Sequence, residues 1–147
     1  MSDADTITSL LHAIDRLGWD EIRRCLADEV LVDYTELFGG EAETVTREEL
    51  VARWRALLPG FDATQHMTGP VLLTSDNRPG LRADTHVRGY HHLGDETWAV
   101  HGHYVARLVD GKISELTLQV FYQEGNQKLT ETATQRAAIA PRAPRLA

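Results

Sequence analysis

Histidine is the residue type in this sequence whose number and placement most suggest chemistry. Seven of the 147 residues are histidines, and five of them fall between positions 86 and 103. An imidazole ionises near neutral pH and both accepts and donates protons, so histidines that share a pocket can carry out acid/base catalysis. The histidine pattern therefore predicts a proton-transfer site.

Two oxygen-bearing side chains are candidate partners for these histidines. Asp15 follows the apolar Ile14 late in a predicted helix, and Tyr34 ends a predicted strand. A carboxylate that accepts a hydrogen bond from one ring nitrogen fixes the imidazole tautomer, and a phenol donates to a carbonyl oxygen. The pattern alone also fits a solvated helix carboxylate and a core tyrosine.

The facing of the histidines follows from the alternation of side chains along a strand. His91 lies on the opposite face of its predicted strand from His86 and His92, and His101 and His103 share one face of the next strand. Only some of these rings can therefore reach a common pocket.

A zinc site is an alternative use of the same side chains. His91, His101 and His103 could supply three ligands together with Asp15 or Asp33, although their spacing is not a recognised zinc motif. We therefore expect no metal and no cofactor.

The periodicity of the chain predicts the elements that must position these groups. Apolar residues at helical spacing predict helices over 6–17 and 19–28, and a capping box at Thr46 predicts a third over 47–58. A short polar helix is expected to end near Ala138. Alternating or β-branched segments predict strands over 30–34, 64–74, 81–93, 97–109 and 112–123.

Three helices followed mainly by strands predict an α+β fold, in which N-terminal helices cover a highly curved antiparallel sheet that encloses a pocket. We expect one domain over residues 1–147, with a core at about 5–123 and a C-terminal helix and tail at 124–147. A chain of this length can bury a substantial core without cross-links.

Charge and composition exclude several classes of partner. The net charge is −7, and the basic residues are spread thinly, which argues against nucleic acid. The chain has no basic-plus-apolar start typical of a secretion signal and no apolar run of ~20 residues, so we expect no membrane partner and a cytoplasmic location. The single cysteine, Cys25, excludes an internal disulfide and is expected to be buried.

Five short segments carry a family resemblance. They are residues 15–20, 32–34, 64–69, 89–92 and the turn at 110–111, and the sequence Thr64-Gln65-His66 with a following glycine is the most specific of them. Over about residues 5–123 the chain resembles the NTF2-like superfamily, its SnoaL-like branch, and more closely the scytalone dehydratase type.

The resemblance implies roles for individual residues. In that type, an aspartate of the first helix orients a histidine, two histidines flank the substrate, and a tyrosine at a strand end binds its carbonyl. These roles fall on Asp15, His91, His66 and Tyr34, with Asp15 and His91 as the expected dyad. Ile14 stands where the dehydratase has a second carbonyl-binding tyrosine.

The implied function is that of a cofactor-independent lyase of dehydratase or polyketide-cyclase type, acting on a small cyclic or polyketide-derived carbonyl compound. We expect a homo-oligomer, either a dimer or a trimer. The expected substrate-binding side chains are Phe38, Trp54, Met67, His103 and Phe121.

The same fold supports other functions, because it supplies a pocket and not a reaction. A small-molecule-binding domain without catalysis and an isomerase are alternatives. An epoxide hydrolase would use Arg82, Asp84 and Arg88.

Overall fold

The computed structural model describes residues 2–145 and begins with a helical hairpin. Helix α1 spans Asp3–Arg16 and helix α2 spans Trp19–Cys25, so both predicted helices are present, but α2 ends three residues early because a strand begins at Leu26. Leu17 ends α1 in a left-handed conformation, with a φ of 57°. Asp15 therefore lies in the last turn of α1. The predicted domain boundaries at residues 1 and 147 lie outside the described residues.

Seven strands form one sheet. Across the sheet the order is β2-β1-β7-β6-β5-β3, and β4 pairs with β5, so β3 is an edge strand. The strands are Leu26–Asp33 (β1), Glu43–Thr46 (β2), Ala63–Thr68 (β3), Leu72–Thr74 (β4), Leu81–Leu93 (β5), Glu96–Val109 (β6) and Lys112–Gly125 (β7).

The sheet differs from the antiparallel prediction in one pairing. Strands β1 and β7 run parallel, whereas all other paired strands are antiparallel. The predicted strand over 64–74 is two strands, β3 and β4, because Pro70 between them lacks the N–H that a continuous ladder needs. The curved sheet is therefore mixed.

Two further elements were not predicted, and the third predicted helix ends early. Helix α3 (Thr35–Phe38) and strand β2 fall in a region with no predicted element. Helix α4 spans Arg47–Arg55 behind its Thr46 cap, short of the predicted end at residue 58, and a separate 3-10 turn covers Leu58–Gly60. Proline in that turn cannot continue an α-helix.

The helices cover the concave face of the sheet, as the α+β prediction required. The apolar stripe of α1 and the inward residues of β5, β6 and β7 form one continuous core, in which Cys25 is also buried. The C-terminal helix α5 (Leu129–Ile139) packs on the 3-10 turn. Within the described residues, no helix combines the length and the apolar character needed to cross a bilayer.

Candidate active site

A cavity of about 290 Å³ lies between the helices and the concave face of the sheet. Most of its wall is apolar, with Ile14 and Val100 among the lining residues. Near the opening, Glu43 and Arg53 form an ion pair at 2.9 Å. The polar side chains in its interior are His66, His91, Tyr34 and Tyr104.

Asp15 and His66 form a hydrogen-bonded pair at this cavity. Asp15 Oδ1 lies 2.7 Å from His66 Nδ1 and 2.9 Å from the Thr64 hydroxyl, and its Oδ2 accepts from the His66 backbone N–H at 2.7 Å. Burial raises the pKa of Asp15, but the hydrogen bonds and charge of His66 outweigh it, so the pKa lies below its usual value. The carboxylate is therefore ionised at neutral pH.

This pairing corrects the prediction that Asp15 and His91 form the dyad. Strand β3 is an edge strand, and the backbone N–H of His66 points away from β5 towards α1. The last turn of α1 packs against that edge, so the Asp15 carboxylate accepts hydrogen bonds from both the backbone N–H and the ring Nδ1 of His66. His91 lies one strand further into the sheet and binds a different partner.

His91 is enclosed by aromatic rings. Its Nδ1 lies 3.1 Å from the Trp98 carbonyl oxygen, and its ring stacks on the Trp98 ring at 4.3 Å. The Phe61 ring lies 5.1 Å away and the His66 ring 5.8 Å away. Burial, with a smaller contribution from the charge of His66, lowers the pKa of His91 to about 4. His91 is therefore neutral near pH 7, and Nδ1 carries its proton because a carbonyl oxygen only accepts.

The burial of His91 predicts a specific loss of stability in acid. The unfolded chain binds a proton at the ordinary pKa of 6.5, whereas the folded protein resists it until about pH 4. Stability therefore falls as the pH drops through this window, by about 2 to 3 kcal/mol between roughly pH 6.5 and 4.5. Urea unfolding of the wild type and of His91→Gln at both pH values measures it, and an equal pH dependence in the two proteins would contradict it.

Two phenols meet at the inner wall of the cavity. The hydroxyl oxygens of Tyr34 and Tyr104 lie 3.1 Å apart, so one donates to the other. Burial raises the pKa of Tyr34 well above its ordinary value and that of Tyr104 to about 12. Both groups are therefore neutral hydrogen-bond donors at neutral pH. One phenolic proton stays available to a ligand oxygen.

The sequence analysis missed Tyr104. The alternation of β6 places it on the same face as Trp98 and Val100, with Gly102 between. That alternation was the available signal, and it indicated an inward phenol two residues beyond Gly102.

The predicted substrate-binding residues fall into two groups. Phe38 and Trp54 line the cavity, as expected. Met67, His103 and Phe121 do not line it, so the structure does not bring these three residues to the cavity. Met67 is on the outer side of β3, where it borders a separate depression beside α1.

His103 and Phe121 lie on the outer face of the sheet. His103 alternates with the inward Gly102 and Tyr104, and its Nε2 binds Asp84 Oδ1 at 2.9 Å. Phe121 alternates with the buried Leu118, so its side chain also faces outward and is 57% exposed.

The alternative sets of chemical residues are not brought together. His91 faces the cavity while His101 and His103 face outward, so the three-histidine zinc set cannot converge. Among the described residues, no group of three or more histidine, cysteine or acidic side chains is arranged to hold a metal ion. Arg82 pairs with Asp84 at 3.4 Å on the outer face, away from the cavity, so the epoxide-hydrolase set does not form there.

Comparison with known proteins identifies the family to which this fold belongs. Residues 4–112 match the SnoaL-like domain, so the chain belongs to the SnoaL-like family within the NTF2-like superfamily. No curated protein sequence matches the chain significantly.

Solved structures of similar fold include enzymes. The Kfla4162 protein from Kribbella flavida is 26% identical, with a TM-score of 0.78 over 88% of this chain and 94% of that one. A LinA-type3 hexachlorocyclohexane dehydrochlorinase from Novosphingobium barchaimii is 15% identical, with a TM-score of 0.68 over 83% of this chain and 86% of that one. A protein of Novosphingobium aromaticivorans, provisionally assigned as a scytalone dehydratase, is 15% identical, with a TM-score of 0.64 over 82% of this chain and 83% of that one.

Proposed function

We propose that this protein is a cofactor-independent lyase of dehydratase or polyketide-cyclase type that acts on a small cyclic or polyketide-derived carbonyl compound. The observation that carries the proposal is the Asp15–His66 pair, with a 2.7 Å contact, beside an apolar cavity that also holds His91 and two phenols. A cavity of about 290 Å³ lies at the lower end of the range for ligand pockets, which favours a compact substrate.

His66 is the proposed base. Asp15 accepts the proton of Nδ1, so the lone pair of a neutral His66 ring is on Nε2. The carboxylate also stabilises the imidazolium that forms when Nε2 removes a proton from the carbon next to the substrate carbonyl. His66 is the proposed base of the two cavity histidines, because it has the carboxylate partner and burial lowers the pKa of His91 to about 4.

Tyr34 and Tyr104 are the proposed donors to the substrate carbonyl. Removal of the α-proton leaves negative charge on the carbonyl oxygen as an enolate, and a fixed phenolic O–H stabilises that charge in an apolar site. Because one hydroxyl donates to the other, the accepting hydroxyl becomes a stronger hydrogen-bond donor through its own free proton. Tyr104 thus supplies, from β6, the second phenol that Ile14 cannot.

The remaining step is departure of the leaving group. The C–O bond to a β-hydroxyl breaks as the enolate electrons form a carbon–carbon double bond, and the proton held on His66 Nε2 passes to the departing oxygen to give water. His91 cannot supply this proton near pH 7, because its pKa is about 4. Its unprotonated Nε2 instead accepts a hydrogen bond from the substrate hydroxyl and orients it.

The first experiment is a screen of small cyclic β-hydroxy ketones, followed by the absorbance of the conjugated enone product. The same compounds are incubated in deuterium oxide, and NMR records exchange of their α-protons, which reports the base step even when no water is lost. The expected result is enzyme-dependent exchange or enone formation for at least one compound.

The screen also discriminates the main alternative, a ligand-binding domain without turnover. The mostly apolar wall favours binding as well as catalysis, and a computationally designed 17-OHP binder shares the fold with a TM-score of 0.63. Calorimetric binding of a ketone with neither exchange nor elimination would assign the protein to that class.

A further inference from the structure

The C-terminal helix is fastened to the turn that precedes β3. Ala133 of α5 is fully buried against Gly60, where an added Cβ atom would lie 1.7 Å from the Ala133 carbonyl oxygen. Arg136 pairs with Asp62 at 2.8 Å, and the same carboxylate accepts from a backbone N–H of the β5–β6 hairpin at 2.7 Å. Helix α5 and this turn therefore hold a fixed relative position.

Beyond α5, residues 140–145 form a C-terminal strap that doubles back over the body. The Arg142 backbone N–H donates to the Pro59 carbonyl oxygen at 2.8 Å, and its side-chain Nε donates to that of Phe61 at 3.0 Å. The Arg145 N–H donates to the Arg16 carbonyl oxygen at 2.8 Å. The strap thus bonds both the 59–61 turn and the end of α1.

These two attachment points carry the two halves of the site. The Phe61 ring is fully buried and packs on His91 at 5.1 Å. Arg16 directly follows Asp15, which binds His66. A displacement of the strap therefore acts on both cavity histidines at once.

Only part of the Arg142 guanidinium is used in these hydrogen bonds. Its Nη2 is buried without a hydrogen-bond partner. Burial lowers the pKa of Arg142, while the negative charge of Asp15 acts in the opposite direction and favours the cation. The Nε–Phe61 hydrogen bond is therefore the contact through which this guanidinium holds the turn.

We propose that Arg142 is a positioning residue for the cavity site, which holds the 59–61 turn so that Phe61 seals His91. The role rests on the proposed function of the same pocket, but the contacts that define it involve no substrate. Arg142 touches none of the reacting groups and acts through Phe61.

The test is NMR titration of the imidazoles in the full-length wild type, in Arg142→Gln and in the matched control Arg136→Gln. Without the hydrogen bond from Arg142 Nε to the Phe61 carbonyl oxygen, water reaches His91. Arg142→Gln is therefore expected to raise the His91 pKa from about 4 towards 6.5, by about one unit. Arg136→Gln removes an ion pair but leaves the Ala133–Gly60 packing and the Asp62 bond to the Gly94 N–H, so the His91 pKa is expected to stay unchanged.

A folded Arg142→Gln protein with a His91 titration like that of the wild type overturns the proposal. If that variant does not fold, Arg142→Lys takes its place: it keeps the charge but loses the Nε donor, so the His91 pKa is again expected to rise, and an unchanged value overturns the role. A wild type without lyase activity, combined with the expected shifts, would refute the proposed function and leave the positioning role standing.

Discussion

Replacing His66 with glutamine is expected to lower kcat/KM for the elimination roughly 10²- to 10⁴-fold, the range that a positioned acid/base group contributes. Glutamine is similar in length and still hydrogen-bonds Asp15, but its amide has no lone pair basic enough to remove an α-proton. The loss should appear equally in enone formation and in α-deuterium exchange, because both begin with the same proton abstraction. Steady-state kinetics and NMR exchange measure the two effects.

His103→Gln is the matched control for this variant. His103 also pairs with a carboxylate, Asp84 at 2.9 Å, but on the outer face of the sheet. It shares the chemistry of the His66–Asp15 pair without access to the cavity, so its loss should leave kcat/KM within about twofold. Equal losses in the two variants would show that neither histidine is the base.

The parts of the site that follow from local pattern were predictable from the sequence. The apolar spacing of α1 placed Asp15 late in that helix, and strand alternation placed His91 and His92 on opposite faces of β5. The family resemblance assigned His66 and His91 to one substrate pocket, and their rings lie 5.8 Å apart. These features depend on neighbours within one element or on a recognised motif.

The parts that depend on distant pairing were not predictable in this way. Which histidine Asp15 binds is decided by the edge position of β3, and that position follows from the order of all seven strands. The parallel β1–β7 pairing brings together segments about 85 residues apart, beyond the reach of any periodicity. The bulge that turns Tyr122 outward onto the His101 ring arises from the register between β6 and β7.

Under the proposed function, Tyr104 compensates for a departure from the family pattern. The resemblance marked Ile14 as the position of a missing phenol. In the folded chain, Ile14 is an apolar part of the cavity wall, and Tyr104 reaches Tyr34 from a different strand. The proposed second donor therefore comes from β6 and not from α1. The homo-oligomer, the cytoplasmic location and the absence of a cofactor stay predictions.

Replacing Asp15 with asparagine is expected to be as damaging as the loss of His66, because the carboxylate accepts three hydrogen bonds and an amide cannot. Asp15 receives the Nδ1–H of His66, its backbone N–H and the Thr64 hydroxyl. With the amide oxygen towards Nδ1, the NH₂ group faces the backbone N–H and leaves it unsatisfied, which costs about 1 to 3 kcal/mol. With the amide reversed, Nδ1 must accept, and the proton moves to Nε2.

The reversed amide therefore removes the lone pair that acts as base, and the expected loss in kcat/KM is again roughly 10²- to 10⁴-fold. ¹⁵N NMR of the His66 ring distinguishes the two outcomes, since it reports which nitrogen carries the proton, and urea unfolding measures the cost of an unsatisfied backbone N–H. Asp84→Asn, which disrupts the outer His103 pair, is the control. An Asp15→Asn protein with the activity and stability of the wild type would mean that the carboxylate neither orients nor stabilises the His66 ring, because no rotation of an asparagine amide supplies all three acceptors.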